Sequence, residues 1–248
     1  MSARFQELDW RSTPLGELAL RRRWYPSPGK DVYEIKLNDE FLMSSLFTFA
    51  EEELGRLPLT ELAADTPLDV VVGGLGLGCT AQAVLENPNV HSLVVVDALS
   101  EVIEWHAQGL IPSGLAEDPR CRLVHGDFFA MIRSRSGLDP ADPDRRFDAV
   151  IVDIDHSPRH LLHPGNADFY QPAGLHHLSG LLRPGGVFAL WSNDPPDQEF
   201  TTVLGQIFAT VRAEIIAFDN PLQERQSTNT IYIATNPRPT PLAQHPAT

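Results

Sequence analysis

A glycine-rich loop at Gly73–Gly78 joins an apolar segment to a helical pattern. Leu68–Val72 is apolar except for Asp69, which is typical of a strand buried in a parallel sheet. Thr80–Glu86 then has the pattern of a helix. Glycines allow the backbone to approach a ligand, and a helix N-terminus offers free N–H groups with a partial positive charge. This strand–loop–helix unit predicts an α/β fold that binds a nucleotide-like ligand at the loop.

Strand and helix patterns alternate after this unit. We predict further buried strands at Ser92–Val96, Cys121–His125, Asp148–Val152 and Val187–Trp191. Helices are predicted between them and after them, among them Asp168–Leu182 and Phe200–Val211. Two closing strands, Ala213–Phe218 and Thr228–Ala234, have no helix between them and should pair antiparallel. The sequence therefore predicts a Rossmann-like, doubly wound α/β sheet of seven strands with an antiparallel last strand.

The first 65 residues have a different pattern. Leu15–Arg22 and Val32–Leu37 alternate in polarity and predict a β-hairpin or a small sheet, with a turn at 26–29. Leu46–Leu57 predicts an amphipathic helix. We therefore expect an N-terminal hairpin and helix at 1–65 and a ligand-binding domain at 66–235. Residues 236–248 contain four prolines and are expected to form a disordered tail.

The overall charge limits the kinds of partner. The formal net charge is −14, and the densest basic cluster, residues 21–23, is too short to bind nucleic acid. No apolar run approaches the roughly 20 residues that span a membrane, and the first residues lack the apolar core of a signal peptide. Cys79 and Cys121 have no zinc or redox spacing. We expect a cytoplasmic enzyme that acts on a small molecule, without nucleic acid or membrane.

Acidic residues follow three successive predicted strands. Asp97 ends the second strand, Asp127 follows the third and Asp153 follows the fourth. The carboxyl ends of parallel strands form the edge at which such sheets bind ligands. An acid at Asp97 can accept both ribose hydroxyls, and an acid at Asp127 can accept an adenine amino group. Together with the glycine loop, these residues favour an adenosyl cofactor.

These features resemble a known family. Residues 68–235 are similar to class I S-adenosylmethionine (SAM) dependent methyltransferases, and Phe147–Asp153 with Asp168–Tyr170 resemble the spermidine synthase (aminopropyltransferase) branch. The resemblance implies SAM or a close relative as cofactor, Asp153 as a base and a homodimer formed through the N-terminal segment. It also implies the cofactor-binding residues Gly73, Gly74, Gly76, Gly78, Asp97, Asp127, Phe128 and Asp153.

The loop departs from the spermidine synthase pattern at Gly76. Members of that branch typically have an aspartate at this position, which holds the amine of decarboxylated SAM. Intact SAM adds a carboxylate, which free loop N–H groups would bind and a nearby acid would repel. The Tyr-Gln pair with which the family contacts substrate is also missing at 39–45. We therefore expect intact SAM and methyl transfer, to an oxygen of a small polar or carboxylic-acid metabolite.

Other functions stay open. An aminopropyltransferase that uses decarboxylated SAM is the first alternative, and a SAM-binding protein without catalysis is the second. A nicotinamide-dependent dehydrogenase fits Gly76–Ala81 but explains neither Asp127 nor the closing strand pair.

Two loops contain further candidate site residues. Asp153 and His156 follow the fourth strand and are predicted to be catalytic, His156 because its side chain titrates near neutrality. Oxygen and nitrogen donors in the loops after the fourth and fifth strands predict a Mg²⁺ or Mn²⁺ site. Its expected ligands are Asp153, His156, Asn193 and Asp194. Arg159 could clamp a substrate carboxylate, and Tyr170, in the family's Phe-Tyr pair, is a candidate substrate contact.

Overall fold

A four-stranded antiparallel sheet forms the N-terminal part of the chain. The computed structural model describes residues 5–26, 29–38, 40–220 and 225–238. The strands pair in chain order and are β1 (Phe5–Thr13), β2 (Gly16–Tyr25), β3 (Lys30–Leu37) and β4 (Glu40–Ser44). The predicted hairpin corresponds to β2 and β3. Strands β1 and β4 were not predicted. Every side chain in them is at least partly exposed, so they lack the alternation that marks a half-buried strand.

A seven-stranded sheet follows, in the order β10-β11-β9-β8-β5-β6-β7. Its strands are β5 (Leu68–Gly73), β6 (Val90–Asp97), β7 (Cys121–His125), β8 (Phe147–Val152), β9 (Leu182–Ser192), β10 (Phe208–Asn220) and β11 (Arg225–Pro237). The strands from β9 to β7 pair parallel, whereas β11 pairs antiparallel with both β9 and β10. The predicted Rossmann-like fold with an antiparallel closing strand is confirmed.

The chain reverses its direction of travel across this sheet between β5 and β8. From β5 it runs outward to β6 and β7, and it then returns to place β8 on the other side of β5. In open α/β sheets, ligands bind beyond the carboxyl ends of the strands at this kind of switch point. The Gly73–Gly78 loop leaves β5 and Asp153 follows β8, so both lie at this position.

The helices cover both faces of the large sheet. They are α1 (Phe49–Arg56), α2 (Cys79–Leu85), α3 (Ser100–Ala107), α4 (Phe128–Ser134), α5 (Pro172–Ser179) and α6 (Gln198–Ile207), with 3₁₀ helices at Leu57–Glu61 and Pro164–Tyr170. On one face, α1 and α2 pack with side chains of the N-terminal sheet, such as Leu18 and Leu20. On the other face, an aromatic cluster that includes Phe129 and Phe169 fills the core.

Other segments also differ from the sequence prediction, among them the helix predicted at Phe200–Val211, which ends at Ile207 where β10 begins. The helix predicted at Asp168–Leu182 is divided, because Pro172 holds Gln171 in an extended conformation between the 3₁₀ helix and α5. The predicted tail begins inside β11, which continues to Pro237, and residues 239–248 lie outside the described residues. The domain boundary at 65/66 stays a prediction.

Candidate active site

The glycine loop and the segment after β8 are in backbone contact. The N–H of Asp153 donates to the carbonyl of Gly73 at 2.8 Å. Gly74 has φ +95°, and a Cβ at this position would overlap the carbonyl oxygen of Asp153. Glycine is therefore required at Gly74 for two reasons, its left-handed backbone and the close approach of the neighbouring chain.

Asp153 has the properties of a base that works near neutrality. Thr80, at the start of α2, donates its hydroxyl to Oδ2 of Asp153 at 2.7 Å. Burial raises the pKa of Asp153 to about 6, although the bond from Thr80 opposes the rise. A carboxylate with a pKa near the working pH can accept a proton from a reacting group and release it again.

A second acid, Glu51, lies near Asp153 and was missed by the sequence analysis. Helix α1 packs so closely on α2 that a Cβ on Gly55 would lie 2.6 Å from the carbonyl oxygen of Thr80. Glu51 is one helical turn before Gly55 and shares its face. Burial raises the pKa of Glu51 to about 8, and the negative charge of Asp153 adds to the rise. The signal that could have found it is an acid four residues before a buried glycine.

The N–H groups of the glycine loop are already used within the chain. Gly74 donates to the carbonyl of Val96 at 2.9 Å, and Gly78 donates to that of Leu75 at 2.7 Å. The N–H groups of Leu75 and Gly76 bond the carboxylate of Asp97. The N–H of Leu77 donates to Sδ of Met43, from β4, at 2.7 Å. The expectation that free loop N–H groups would bind a cofactor carboxylate is therefore wrong.

Asp97 and Asp127 lie at the sheet edge on which they were predicted. Asp97 also accepts from Leu99 at 2.8 Å, and burial raises its pKa. Asp127 caps α4 by accepting from the N–H of Ala130 at 2.9 Å. Phe128 packs against the loop, since a Cβ on Gly73 would lie 2.7 Å from its ring. Their contacts with a cofactor stay predictions.

His106 anchors the loop from α3, and no sequence pattern pointed to it. Its Nε2 lies 2.9 Å from the carbonyl oxygen of Gly76, and its Nδ1 lies 2.6 Å from the hydroxyl oxygen of Ser113. Burial lowers the pKa of His106, which favours the neutral ring. In one neutral tautomer Nε2 donates to Gly76 while Nδ1 accepts from Ser113. This arrangement holds the loop in its left-handed turn.

The loop after β8 is held by a buried polar network around Asp155. Tyr170 donates its hydroxyl to Oδ2 of Asp155 at 2.8 Å. The N–H of Leu162 and the amide of Asn166 donate to Oδ1 at 2.7 and 2.9 Å. Burial raises the pKa of Asp155, and these bonds oppose the rise. The hydroxyl of Tyr170 is thus committed to support of the loop, and its role as a substrate contact stays a prediction.

Removal of this hydroxyl should destabilise the fold. In Tyr170→Phe, Asp155 loses one of the donors that stabilise its buried charge, so the free energy of unfolding should fall by about 1–3 kcal/mol. Urea unfolding at pH 7 measures the change. Tyr25→Phe is a matched control, because the hydroxyl of Tyr25 lies 3.4 Å from its acceptor and is partly exposed. Equal losses in the two variants would contradict the network.

The residues predicted to bind metal do not form a site. Asp194 is bonded to Nδ1 of His160 at 2.8 Å, and Oδ1 of Asn193 accepts from Asn229 at 3.1 Å. The carbonyl of His156 accepts from the N–H of Asn193. Among the residues that the structure describes, no group of three or more His, Cys, Asp and Glu could hold a metal ion. The expectation of a metal-binding protein is therefore wrong.

Arg159 pairs with acids of the chain itself. Its guanidinium lies 2.6 Å from Asp197 and 2.6 Å from Glu199, around the start of α6. Arg159 is exposed, and its charge is compensated by these two carboxylates. The proposed clamp on a substrate carboxylate gains no support from this geometry and stays a prediction, as does the catalytic role of His156.

The comparisons with known proteins identify the family. Residues 49–204 match the family model described as "Spermine/spermidine synthase domain". The chain belongs to this family. It is 31% identical over 164 residues to polyamine aminopropyltransferase 2 of Pseudomonas aeruginosa, a match that covers 61% of the chain and 43% of the relative. A polyamine aminopropyltransferase of Pyrobaculum islandicum is 29% identical over 155 residues, which cover 60% of the chain and 49% of the relative. The chain thus spans less than half the length of these curated relatives.

Solved structures agree on the fold of this spermine/spermidine synthase family member. The spermidine synthase of Thermotoga maritima has a TM-score of 0.69 at 17% identity, over 93% of the chain and 72% of that protein. A probable spermidine synthase of Corynebacterium glutamicum has a TM-score of 0.62 at 17% identity, over 92% and 79%. At this identity the likeness shows the fold.

The expectation of a methyltransferase is wrong. The family match and the curated relatives favour the aminopropyltransferase alternative. Glycine at position 76 does not favour intact SAM in this structure, because the loop N–H groups that were expected to bind its carboxylate are already bonded within the chain.

In the described part of the chain, no helix is long and apolar enough to cross a membrane. The expected homodimer stays a prediction.

Proposed function

We propose that this chain transfers an aminopropyl group from decarboxylated SAM to an amine. The observation that carries the proposal is the pair of acids, Asp153 and Glu51, at the switch point beside the glycine loop of a spermine/spermidine synthase fold. The donor has a sulfonium and an ammonium, and a polyamine acceptor is also cationic. A pair of acids in a chain of net charge −14 favours such partners over anionic ones.

The adenosine part of the donor would lie along the carboxyl edge of the sheet. Asp97 would accept the ribose hydroxyls and Asp127 the adenine amino group, while Gly73, Gly74, Gly76 and Gly78 leave room for the ligand beside the backbone. The ring of Phe128 packs against Gly73 of the loop. The proposed contacts with adenosine would involve the same residues in methyl transfer and in aminopropyl transfer.

The transfer itself is a nucleophilic displacement. The nitrogen lone pair of the acceptor attacks the aminopropyl methylene carbon that is bonded to the sulfonium, and a C–N bond forms. The C–S bond breaks, and its electron pair goes to sulfur, so the second product is the neutral thioether methylthioadenosine. Asp153 takes the proton that leaves the nitrogen, which its pKa near 6 allows at neutral pH. Alignment of the two substrates accounts for much of the rate.

Product analysis tests this function. The purified chain is incubated with decarboxylated SAM and a set of amines that includes 1,3-diaminopropane, 1,4-diaminobutane and spermidine. Chromatography should detect methylthioadenosine and an amine lengthened by one aminopropyl group, in equal amounts. Intact SAM in place of the donor should give neither. Absence of methylthioadenosine with every amine would contradict the proposal.

A further inference from the structure

Glu51 stands where a cationic group could be held against Asp153. The shared face of Glu51 and Gly55 lies on the start of α2, and there the hydroxyl of Thr80 bonds Asp153. Among the described residues, no cation pairs with either carboxylate: Glu51 accepts from its own backbone N–H and Asp153 from Thr80. Two unpaired, half-buried carboxylates beside each other are unfavourable unless a positive charge joins them.

The glycine loop does not supply this acid itself, because residue 76 is glycine. A side chain at Gly76 would overlap Sδ of Met43, which also accepts the N–H of Leu77. Gly76 has φ +46°, and its carbonyl is held by His106. The position at which the resembled branch has its aspartate is therefore filled from the N-terminal sheet. An acid that binds an ammonium then comes from another element. Helix α1 packs on the start of α2, where Thr80 bonds Asp153.

Trp191 adds an aromatic neighbour with an unused donor. Val152 of β8 pairs with Leu190 of β9, so the next residues, Asp153 and Trp191, follow side by side. Trp191 packs on the sheet face that α1 and α2 cover. Its indole nitrogen is buried and has no hydrogen-bond partner in the described part of the chain. Aromatic rings attract alkylammonium groups through their π faces, whereas the indole N–H is a donor and can bond only a carboxylate of the site.

We propose that Glu51, with Asp153 and next to Trp191, binds the ammonium group of an aminopropyl-transfer substrate. This inference rests on the proposed function and names the residue that replaces the loop acid missing at Gly76. The ammonium belongs either to the donor, decarboxylated SAM, or to the acceptor amine. Both have the same alkylammonium chemistry, and the binding experiment separates them.

Calorimetric titration of Glu51→Gln tests the inference. Its ligands are decarboxylated SAM, methylthioadenosine, and 1,4-diaminobutane added to the methylthioadenosine complex. Loss of a charge-assisted bond should weaken one ammonium-bearing ligand about 10- to 100-fold. Methylthioadenosine has no ammonium, and its affinity should stay within about twofold of the wild-type value, because no such bond is lost. Weaker binding of decarboxylated SAM by the variant assigns the ammonium to the donor. Weaker binding of the diamine assigns it to the acceptor.

Glu53→Gln is the matched control. Glu53 is in the same helix, and its carboxylate lies 3.4 Å from Arg56, so this variant makes the same substitution at a different place. It should leave every affinity unchanged. Unchanged binding in Glu51→Gln, an equal loss in Glu53→Gln, or wild-type protein that binds neither ammonium-bearing ligand would each overturn the inference.

Proton release gives a second readout that a structural role would not change. The groups acting on Glu51 are Asp153 and Glu52, and the thiol of Cys79 lies beside them with a pKa raised by burial to about 12. With a pKa of about 8, Glu51 is mostly protonated at pH 7. Binding of an ammonium should therefore release about one proton. Titrations in buffers of different ionisation enthalpy measure it, and Glu51→Gln should abolish it.

These results separate the two proposals. Methylthioadenosine formed by wild-type protein together with unchanged binding in Glu51→Gln would keep the aminopropyl transfer and reject the role of Glu51. Selective loss of ammonium binding in Glu51→Gln without product from wild-type protein would keep the role of Glu51 and reject the transfer.

Discussion

Replacement of Asp153 by asparagine should lower kcat by about 10²- to 10⁴-fold, because a positioned general base contributes a factor of this size. Asparagine has nearly the same shape, and its amide oxygen can still accept the hydroxyl of Thr80, so the site should keep its geometry. The rate of methylthioadenosine formation at saturating substrates measures the effect. Asp142→Asn removes an exposed carboxylate and should leave kcat unchanged.

The same substitution should raise stability at alkaline pH. The folded-state pKa of Asp153, about 6, is above its ordinary value of 3.8, so the folded state resists ionisation of this carboxyl. The wild-type chain therefore loses stability as pH rises from about 4 to 7, and Asp153→Asn should gain about 1–3 kcal/mol at pH 8 but nothing below pH 4. Urea unfolding at both pH values measures the gain.

A kcat within tenfold of wild type in the folded variant would contradict the role of Asp153 as base.

Gly74→Ala should be the most damaging change in the loop. The alanine Cβ would overlap the carbonyl oxygen of Asp153, and the backbone φ of +95° is strained for any side chain. We expect a loss of about 3–5 kcal/mol in the free energy of unfolding, together with loss of methylthioadenosine formation, because the segment that contains Asp153 must move.

Gly114→Ala separates strain from overlap. Gly114 has φ +69°, and a Cβ there would have no heavy atom within 4 Å. This variant should lose about 1–2 kcal/mol from backbone strain and retain activity. Equal losses in Gly74→Ala and Gly114→Ala would show that the close approach of Asp153 to the loop is unimportant.

The large sheet was predictable because strands that are buried on both faces have a recognisable apolar pattern in the sequence. Strands such as Leu68–Gly73 and Phe147–Val152 are covered on both faces by helices, so nearly every residue in them is apolar. The positions of Asp97 and Asp153 followed from the same pattern, since each stands where such a strand ends. The charged edge strand β1 lacks this apolar pattern and was not predicted.

The choice between methyl and aminopropyl transfer could not be made from the loop. Glycine at position 76, where the family has an acid, favoured intact SAM in the sequence-based prediction. The ammonium-binding acid that we propose, Glu51, comes from a helix more than 20 residues earlier, and its approach to Asp153 depends on the fit of Gly55 against Thr80. The family's Tyr-Gln pair was expected at 39–45, whereas this helix begins at Phe49.

The sequence by itself determined the order of strands and helices, the glycine loop at Gly73–Gly78 and the acids at the strand ends. These depend on residue type and periodicity within short segments. The tertiary structure decided which groups surround the loop: Met43 over Gly76, His106 on its carbonyl, and Glu51 beside Asp153. Contacts between elements distant in the chain depend on how their surfaces pack, and no local pattern records that packing.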